Sequence, residues 1–174
     1  MANHKHYLIQ DREQSAIAEA FRSLRMTLQE ITAQTGVKSI LFTGSSVSED
    51  NAVMVANAAI TLAYSGKKVV LLDCDLRTPV LHKLFCVNNI GVADVLQERK
   101  NLNEVLQASF LENLMIVTSG NPVQQPVAML ATQKLSSLIE KLEGQFDYVL
   151  VNSPALTISS KAVISDACIV AHKV

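Results

Sequence analysis

The sequence predicts an α/β fold, a doubly wound and mostly parallel sheet with helices on both faces. Three observations carry that expectation. Short apolar runs at 38–43, 68–73, 114–118 and 148–152 alternate along the chain with segments of helical periodicity, which is the signature of parallel strands joined by crossover helices. The stretch from Ser39 to Leu62 reads as a buried strand, a polar turn and a helix of small residues in immediate succession. Finally, the run Lys68-Val-Val-Leu-Leu-Asp73 ends in Asp73-Cys-Asp-Leu-Arg-Thr-Pro79, which puts two carboxylates and a guanidinium where open parallel sheets bind ligands.

Composition narrows the function classes. The chain has 174 residues, 49% hydrophobic and 18% charged, with a formal net charge of −1, so one well-packed core is expected and no bulk field recruits nucleic acid. No apolar run has the length of a membrane span, and the polar opening Met1–His6 does not read as a signal peptide. A cytoplasmic protein is expected. Cys74, Cys86 and Cys168 are far apart and lack Cys-x-x-Cys spacing, which argues against a disulfide framework or a zinc site, and no metal centre is expected.

Residues 1–14 read as a polar N-terminal arm and 15–174 as one domain. Ser15 can cap the helix that follows. From Ala16 to Ile31 the apolar residues Ile17, Phe21, Leu24, Leu28 and Ile31 recur at helical steps, while Glu19, Arg22 and Arg25 form a second, charged stripe. Taken alone, that stripe is a solvated face with pairs worth ~0.2–0.5 kcal/mol each. Gly36 breaks the helix and Lys38–Thr43 forms the first strand. Ser48 is placed as the N-cap of a helix over 49–64, whose alanines suit close packing on a sheet. After the strand Lys68–Asp73 come short helices at 80–85, 92–97 and 102–107, and then the strand Leu114–Thr118. Pro126 starts a helix predicted to run unbroken from Val127 to Glu143, with Leu130, Leu135, Leu138 and Leu142 facing inward. Tyr148–Asn152 is the fourth strand, 158–164 a loop or short helix, and Cys168–Ala171 a fifth strand.

The turn between the first strand and its helix has the outline of a phosphate-binding loop without its chemistry. Such a loop needs glycines that let backbone N–H groups wrap a phosphate, a lysine for the β/γ oxygens and a hydroxyl for Mg²⁺. In the register set by Asn57 and its neighbouring alanines, Asp50 stands at the last glycine, Asn51 at the lysine and Ala52 at the hydroxyl.

With these residues assembled, the chain resembles the bacterial tyrosine autokinases (BY-kinases) of capsule and exopolysaccharide biosynthesis, in the deviant P-loop group that includes MinD and ParA. Ile17-Ala-Glu-Ala-Phe-Arg-Ser-Leu-Arg25 resembles the family's first helix with its Glu-x-x-Arg-x-x-Arg oligomerisation signature. Leu72-Asp-Cys-Asp-Leu-Arg-Thr-Pro79 resembles its Walker A′ segment, and Phe146-Asp-Tyr-Val-Leu-Val-Asn-Ser-Pro154 its Walker B strand. The resemblance implies a P-loop NTPase-like three-layer α/β/α fold. It also implies self-association or association with an active homologue through Glu19, Arg22 and Arg25. A membrane activator of the chain-length-determinant type is a further implied partner, which would hold the protein at the inner face of the plasma membrane.

The departures fall on the chemistry. Against the family loop Gly-Glu-Gly-Lys-Ser/Thr-Thr stands Ser48-Glu-Asp-Asn-Ala-Val53, in which only Glu49 is retained, and the Walker B aspartate is Asn152. The aspartate the family often shows a few residues further on is replaced by Lys161, and the final helix, strand and tyrosine-rich tail do not follow. Ser46, Ser48, Glu49, Asp50, Asn51, Ala52 and Val53 are thus expected to be a degenerate phosphate loop and Asn152 a degenerate Walker B position. Asp73 and Asp75 are remnant catalytic carboxylates, read either as a metal site or as loop-satisfying groups paired with Arg77. No cofactor is expected. The alternative is an active autokinase that uses ATP and Mg²⁺ with an unconventional cation, Lys38 or an arginine from a neighbouring subunit.

Overall fold

A computed structural model of the chain describes residues 8–9, 14–45, 50–156 and 166–174, with the backbone of 158–159 and 162–163. Helix α1 (Ala16–Thr35) opens on Ser15, whose Oγ accepts from the Ala18 N–H at 3.1 Å, and closes on Gly36 in the left-handed conformation. Then come β1 (Ser39–Phe42), α2 (Asn51–Tyr64), β2 (Val69–Asp73), α3 (Leu81–Phe85), α4 (Val92–Leu96) and α5 (Leu102–Val105). The second half holds β3 (Gln107–Ala108), β4 (Leu114–Val117), α6 (Pro126–Leu130), α7 (Gln133–Glu143), β5 (Tyr148–Asn152), β6 (Ile158–Ser159), β7 (Ala162–Val163) and α8 (Asp166–Ala171).

The sheet order is β1-β5-β2-β4-β3, with the first four strands parallel and β3 antiparallel at the edge. Alternation along β2 divides the core into two layers. Val69 and Leu71 face α1, α2 and α3, whereas Val70 and Leu72 face α4, α7 and α8. Helices therefore cover both faces of a parallel-dominant sheet in three layers. Where β4 ends, α4 approaches so closely that a Cβ on Gly91 would lie 1.6 Å from the Thr118 carbonyl oxygen, so only glycine fits.

The four parallel strands stand where the sequence places them, and several other expectations are corrected. Cys168–Ala171 lies in α8, a helix, because buried Asp166, Ala167 and Val170 dock its inner side against the domain. The helix over 127–143 is broken, since Thr132 takes extended dihedrals and caps α7 separately from α6. The segment at 158–164 contains two short paired strands, β6 and β7, and α5 yields to the edge strand β3. Helix α2 starts at Asn51 with Asp50 at its cap position; Ser48, the expected cap, lies outside the described residues.

Helix α1 also differs from its predicted apolar face. Phe21 and Leu28 are buried, but Ile17 and Ile31 are 65% and 49% exposed. The buried stripe runs through Ala18, Phe21 and Leu28, with Arg25 and Thr32 half-buried along it, so Ile17 and Ile31 each stand one residue off the docked face. Leu8 and Ile9, within the stretch read as an arm, are buried, and the Ile9 N–H donates to Asn57 Oδ1 at 2.8 Å.

A chain of amides at the carboxyl edge of the sheet

Register builds the site. Asn152 ends β5 directly between Phe42 of β1 and Asp73 of β2, so three strand ends meet at one place. Asn51, the first residue of α2, completes the group by reaching back over the end of β1. Its Nδ2 donates to Asn152 Oδ1 at 2.9 Å, to the Phe42 carbonyl at 3.0 Å and to the Ser153 carbonyl at 3.2 Å. An amide NH₂ has two hydrogens, so both are spent on these three acceptors. Asn152 Nδ2 in turn donates to Asp73 Oδ1 at 2.9 Å, which also accepts from the Asp75 N–H at 3.1 Å.

Asp73 is fully buried, and its Oδ2 has no hydrogen-bond partner among the described residues. Its pKa is raised to about 7, by burial above all, with the Asn152 hydrogen bond opposing the rise and the Asp75 charge adding to it. Asp75 is turned to its own loop, where its oxygens accept from the Arg77 N–H, the Thr78 N–H and the Thr78 hydroxyl at 2.8–3.0 Å. The Asp pair therefore does not converge on one point. Among the described residues no group of three or more His, Cys, Asp or Glu side chains is placed to hold a metal ion.

The Arg77 guanidinium turns away from Asp73 and Asp75. It forms a forked pair with Asp166, Nε to Oδ2 at 2.7 Å and Nη2 to Oδ1 at 3.1 Å, and this bond raises the Arg77 pKa above its ordinary value. Asp166 is the residue that sequence reasoning missed. A single acid at the head of the apolar run Ala167-Cys-Ile-Val-Ala171 was the available signal, because a buried acid needs a partner.

The other predicted residues are dispersed. Ala52 is buried and has no hydroxyl to offer, Val53 is half-buried, and the exposed Asp50 makes no capping hydrogen bond with its side chain. Ser46, Ser48, Glu49 and Lys161 lie outside the described residues. Lys38 precedes β1, at the amino edge of the sheet, and donates to the Glu143 carbonyl at 2.7 Å, so it cannot replace a cation at the carboxyl edge. On α1, Glu19 pairs with Arg22 at 2.9 Å, and the Nε of half-buried Arg25 has no hydrogen-bond partner among the described residues.

A parallel-dominant sheet covered by helices on both faces, with α2 next in the chain after the first strand and starting beside the ends of β1, β5 and β2, defines an α/β/α domain of the P-loop type. Comparison with known proteins gives the nearer kinship. Tyrosine-protein kinase YwqD of Bacillus subtilis is 28% identical over 148 residues, 84% of this chain, and tyrosine-protein kinase Etk of Escherichia coli K12 is 27% identical over 169 residues, 97% of this chain. The chain spans 62% of the length of YwqD and 23% of that of Etk. The crystallised kinase domain of Escherichia coli ETK superposes with a TM-score of 0.83 at 29% identity, covering 90% of this chain and 60% of that one. MinD of Pyrococcus horikoshii, complexed with Mg-ADP, shares the fold with a TM-score of 0.65 at 24% identity over 78% of this chain and 54% of its own. No family model matches. The resemblance to bacterial tyrosine kinases thus holds along nearly the whole chain, in sequence and in fold.

Proposed function

We propose that this chain is a degenerate BY-kinase-like domain, a regulatory or scaffolding component of capsule or exopolysaccharide biosynthesis and export without ATP-dependent kinase activity. The Asn51–Asn152–Asp73 chain carries this reading. At the two positions where the family's motifs have lysine and aspartate, this chain has amides that bond to each other, so a cation and an anion are absent together. Phosphoryl transfer depends almost wholly on positioning and charge neutralisation. A phosphate at the start of α2 would meet Asn51 in place of the lysine and Ala52 in place of the Mg²⁺-ligating hydroxyl, and it would face the carboxylate of Asp50. ATP and Mg²⁺ do not fit this residue set.

Calorimetry with ATP and Mg²⁺ tests the reading, with weak or undetectable binding expected. A micromolar dissociation constant overturns it. Changing Asp50→Gly, Asn51→Lys, Ala52→Ser and Asn152→Asp together is expected to restore measurable affinity.

The second reading is an active tyrosine autokinase that takes a cation from a neighbouring subunit; accumulation of phosphotyrosine in the protein incubated with ATP and Mg²⁺ would favour it. Under either reading the partners are a second copy or an active homologue, met through the Glu19, Arg22 and Arg25 stripe, and a membrane activator of the chain-length-determinant type. Nucleic acid is not among them. Among the described residues no helix is long and apolar enough to cross a membrane. Residence at the inner face of the plasma membrane through that activator belongs to the same proposal.

A further inference from the structure

A groove of about 660 Å³ lies between the α4–α5 connection and α7, and it shares no residue with the amide chain. Its floor is apolar, made by Val95, Leu102 and the buried Leu138. Charge rims it, and that charge is unevenly committed. Glu104 accepts from the Asn101 N–H at 2.9 Å with one oxygen and from Lys100 Nζ at 3.0 Å with the other. Glu98 pairs with Lys134 at 3.0 Å, and Lys134 also donates to the Leu96 carbonyl at 3.2 Å, which ties α7 to the end of α4. Both acids on the lining are thus matched by lysines.

Two cations remain. Arg99 and Lys141 are exposed, line the same groove and have no acidic partner among the described residues. The turn bearing Arg99 is fixed in place. Glu98 holds a left-handed φ of 59°, uncommon for a residue other than glycine, and the N–H groups of Arg99 and Lys100 both donate to the Asp94 carbonyl, at 2.9 and 3.3 Å.

We propose that this groove binds a peptide segment bearing phosphotyrosine, its phosphate held by Arg99 and Lys141 and its ring laid on the Val95, Leu102 and Leu138 floor. A phosphomonoester carries about −1.5 to −2 charges near neutral pH, which matches the two uncommitted cations. The guanidinium fork suits two phosphate oxygens and the ammonium adds a point charge. A carboxylate or a phosphoserine would satisfy the cations and leave the apolar floor uncovered. The relatives named tyrosine-protein kinases produce the group that this groove would read. The proposal goes beyond the absence of kinase activity and does not depend on it, because ATP binding would overturn that reading and leave this one standing.

Fluorescence polarisation of the whole chain with a labelled Gly-Ala-Ala-phosphotyrosine-Ala-Ala-Gly peptide, beside its tyrosine and phosphoserine counterparts, tests the assignment. Saturable binding of the phosphotyrosine peptide is expected, about tenfold or more tighter than either counterpart, with no competition from millimolar inorganic phosphate. Arg99→Ala and Lys141→Ala should each weaken it by about tenfold, in line with the loss of one charged hydrogen bond, and the double change should abolish it with an unaltered circular dichroism melt. Equal binding of the tyrosine or phosphoserine peptide, effective competition by phosphate, no saturable binding, or a double variant that keeps its affinity overturns the proposal.

Discussion

Asn51 and Asn152 are joined by a hydrogen bond of 2.9 Å in which the helix residue donates and the strand residue accepts, and Asn152 then passes its own N–H to Asp73. The bond links the start of α2 to the end of β5. It also explains why neither residue disrupts the sheet edge, since Asn152 is 2% exposed and finds an acceptor and a donor in its two neighbours. The two amides answer each other, so these positions are filled without either residue adding a buried charge, while Asp73 Oδ2 at the far end has no partner among the described residues.

The two positions should therefore be energetically coupled. Asn51→Lys alone sets an ammonium among carbonyls where an amide fitted, and Asn152→Asp alone sets a second carboxylate 2.9 Å from Asp73 Oδ1. Each is expected to cost ~1–4 kcal/mol in urea unfolding. The double variant recreates a Lys–Asp pair and should recover ~1 kcal/mol or more of the summed loss. Strict additivity would mean that the two asparagines are unrelated.

Asp73 gives the fold a pH dependence of defined sign. Its pKa is about 7 in the folded protein against 3.8 for the free group, so between about pH 4 and 7 the folded state keeps a proton that the unfolded state has released. Its contribution is fully present below pH 4 and is lost as pH rises to about 7. Asp73→Asn should flatten this slope, by a few kcal/mol across the window at ~1.4 kcal/mol per pH unit. The new amide adds unsatisfied donors at a cost that does not vary with pH, so the slope is the readout and not the stability at any one pH. Equal slopes for wild type and variant in urea titrations would refute the assignment.

Legibility in the sequence followed the range of the interactions. The parallel strands were legible because each is an apolar run that ends in polar residues, and the replaced loop positions were legible from spacing to the alanines of α2. The break at Thr132 left a mark that was readable, since Leu130 and Leu135 are five apart where an unbroken helical face repeats at three or four. Helix α8 was not legible, because Cys168-Ile-Val-Ala171 has strand propensity and only the Arg77–Asp166 pair and burial against distant residues make it helical. At the site, spacing gives Asn51 and Asn152 separately; that they bond to each other depends on strand order, which no local pattern encodes.

That ion pair predicts how α8 is held. Asp166 is fully buried and Arg77 is 39% exposed, so the pair is screened on one side only. Arg77→Ala leaves a carboxylate buried without its cation and should destabilise the protein by roughly 1–3 kcal/mol, a range lowered for the exposure of the arginine. Asp166→Asn keeps one acceptor and leaves no buried charge, so it should cost less. Hydrogen exchange should show the α8 amides opening in the arginine variant ahead of those in β2 and β5. Protection of α8 equal to wild type would show that packing alone holds it.

The charged stripe of α1 predicts assembly, the property that the family resemblance implies and the amide chain leaves untouched. Glu19 and Arg22 are satisfied within the helix at 2.9 Å, whereas the Nε of Arg25 is buried and unpaired among the described residues, with Met26 beside it 65% exposed. A neighbouring subunit that offers carboxylates would give Arg25 a forked partner and cover Ile17 and Met26. Exposed pairs are worth ~0–1 kcal/mol each, so one contact would be weak. Repetition around a closed ring multiplies it, because each added subunit makes the next contact intramolecular. Sedimentation of wild type should therefore show self-association, or association with an active homologue, that falls as salt rises, and Arg22→Ala/Arg25→Ala should remove it. A wild type that is monomeric at every concentration and does not bind a homologue, or an oligomer indifferent to the double change, would identify the stripe as a solvated face.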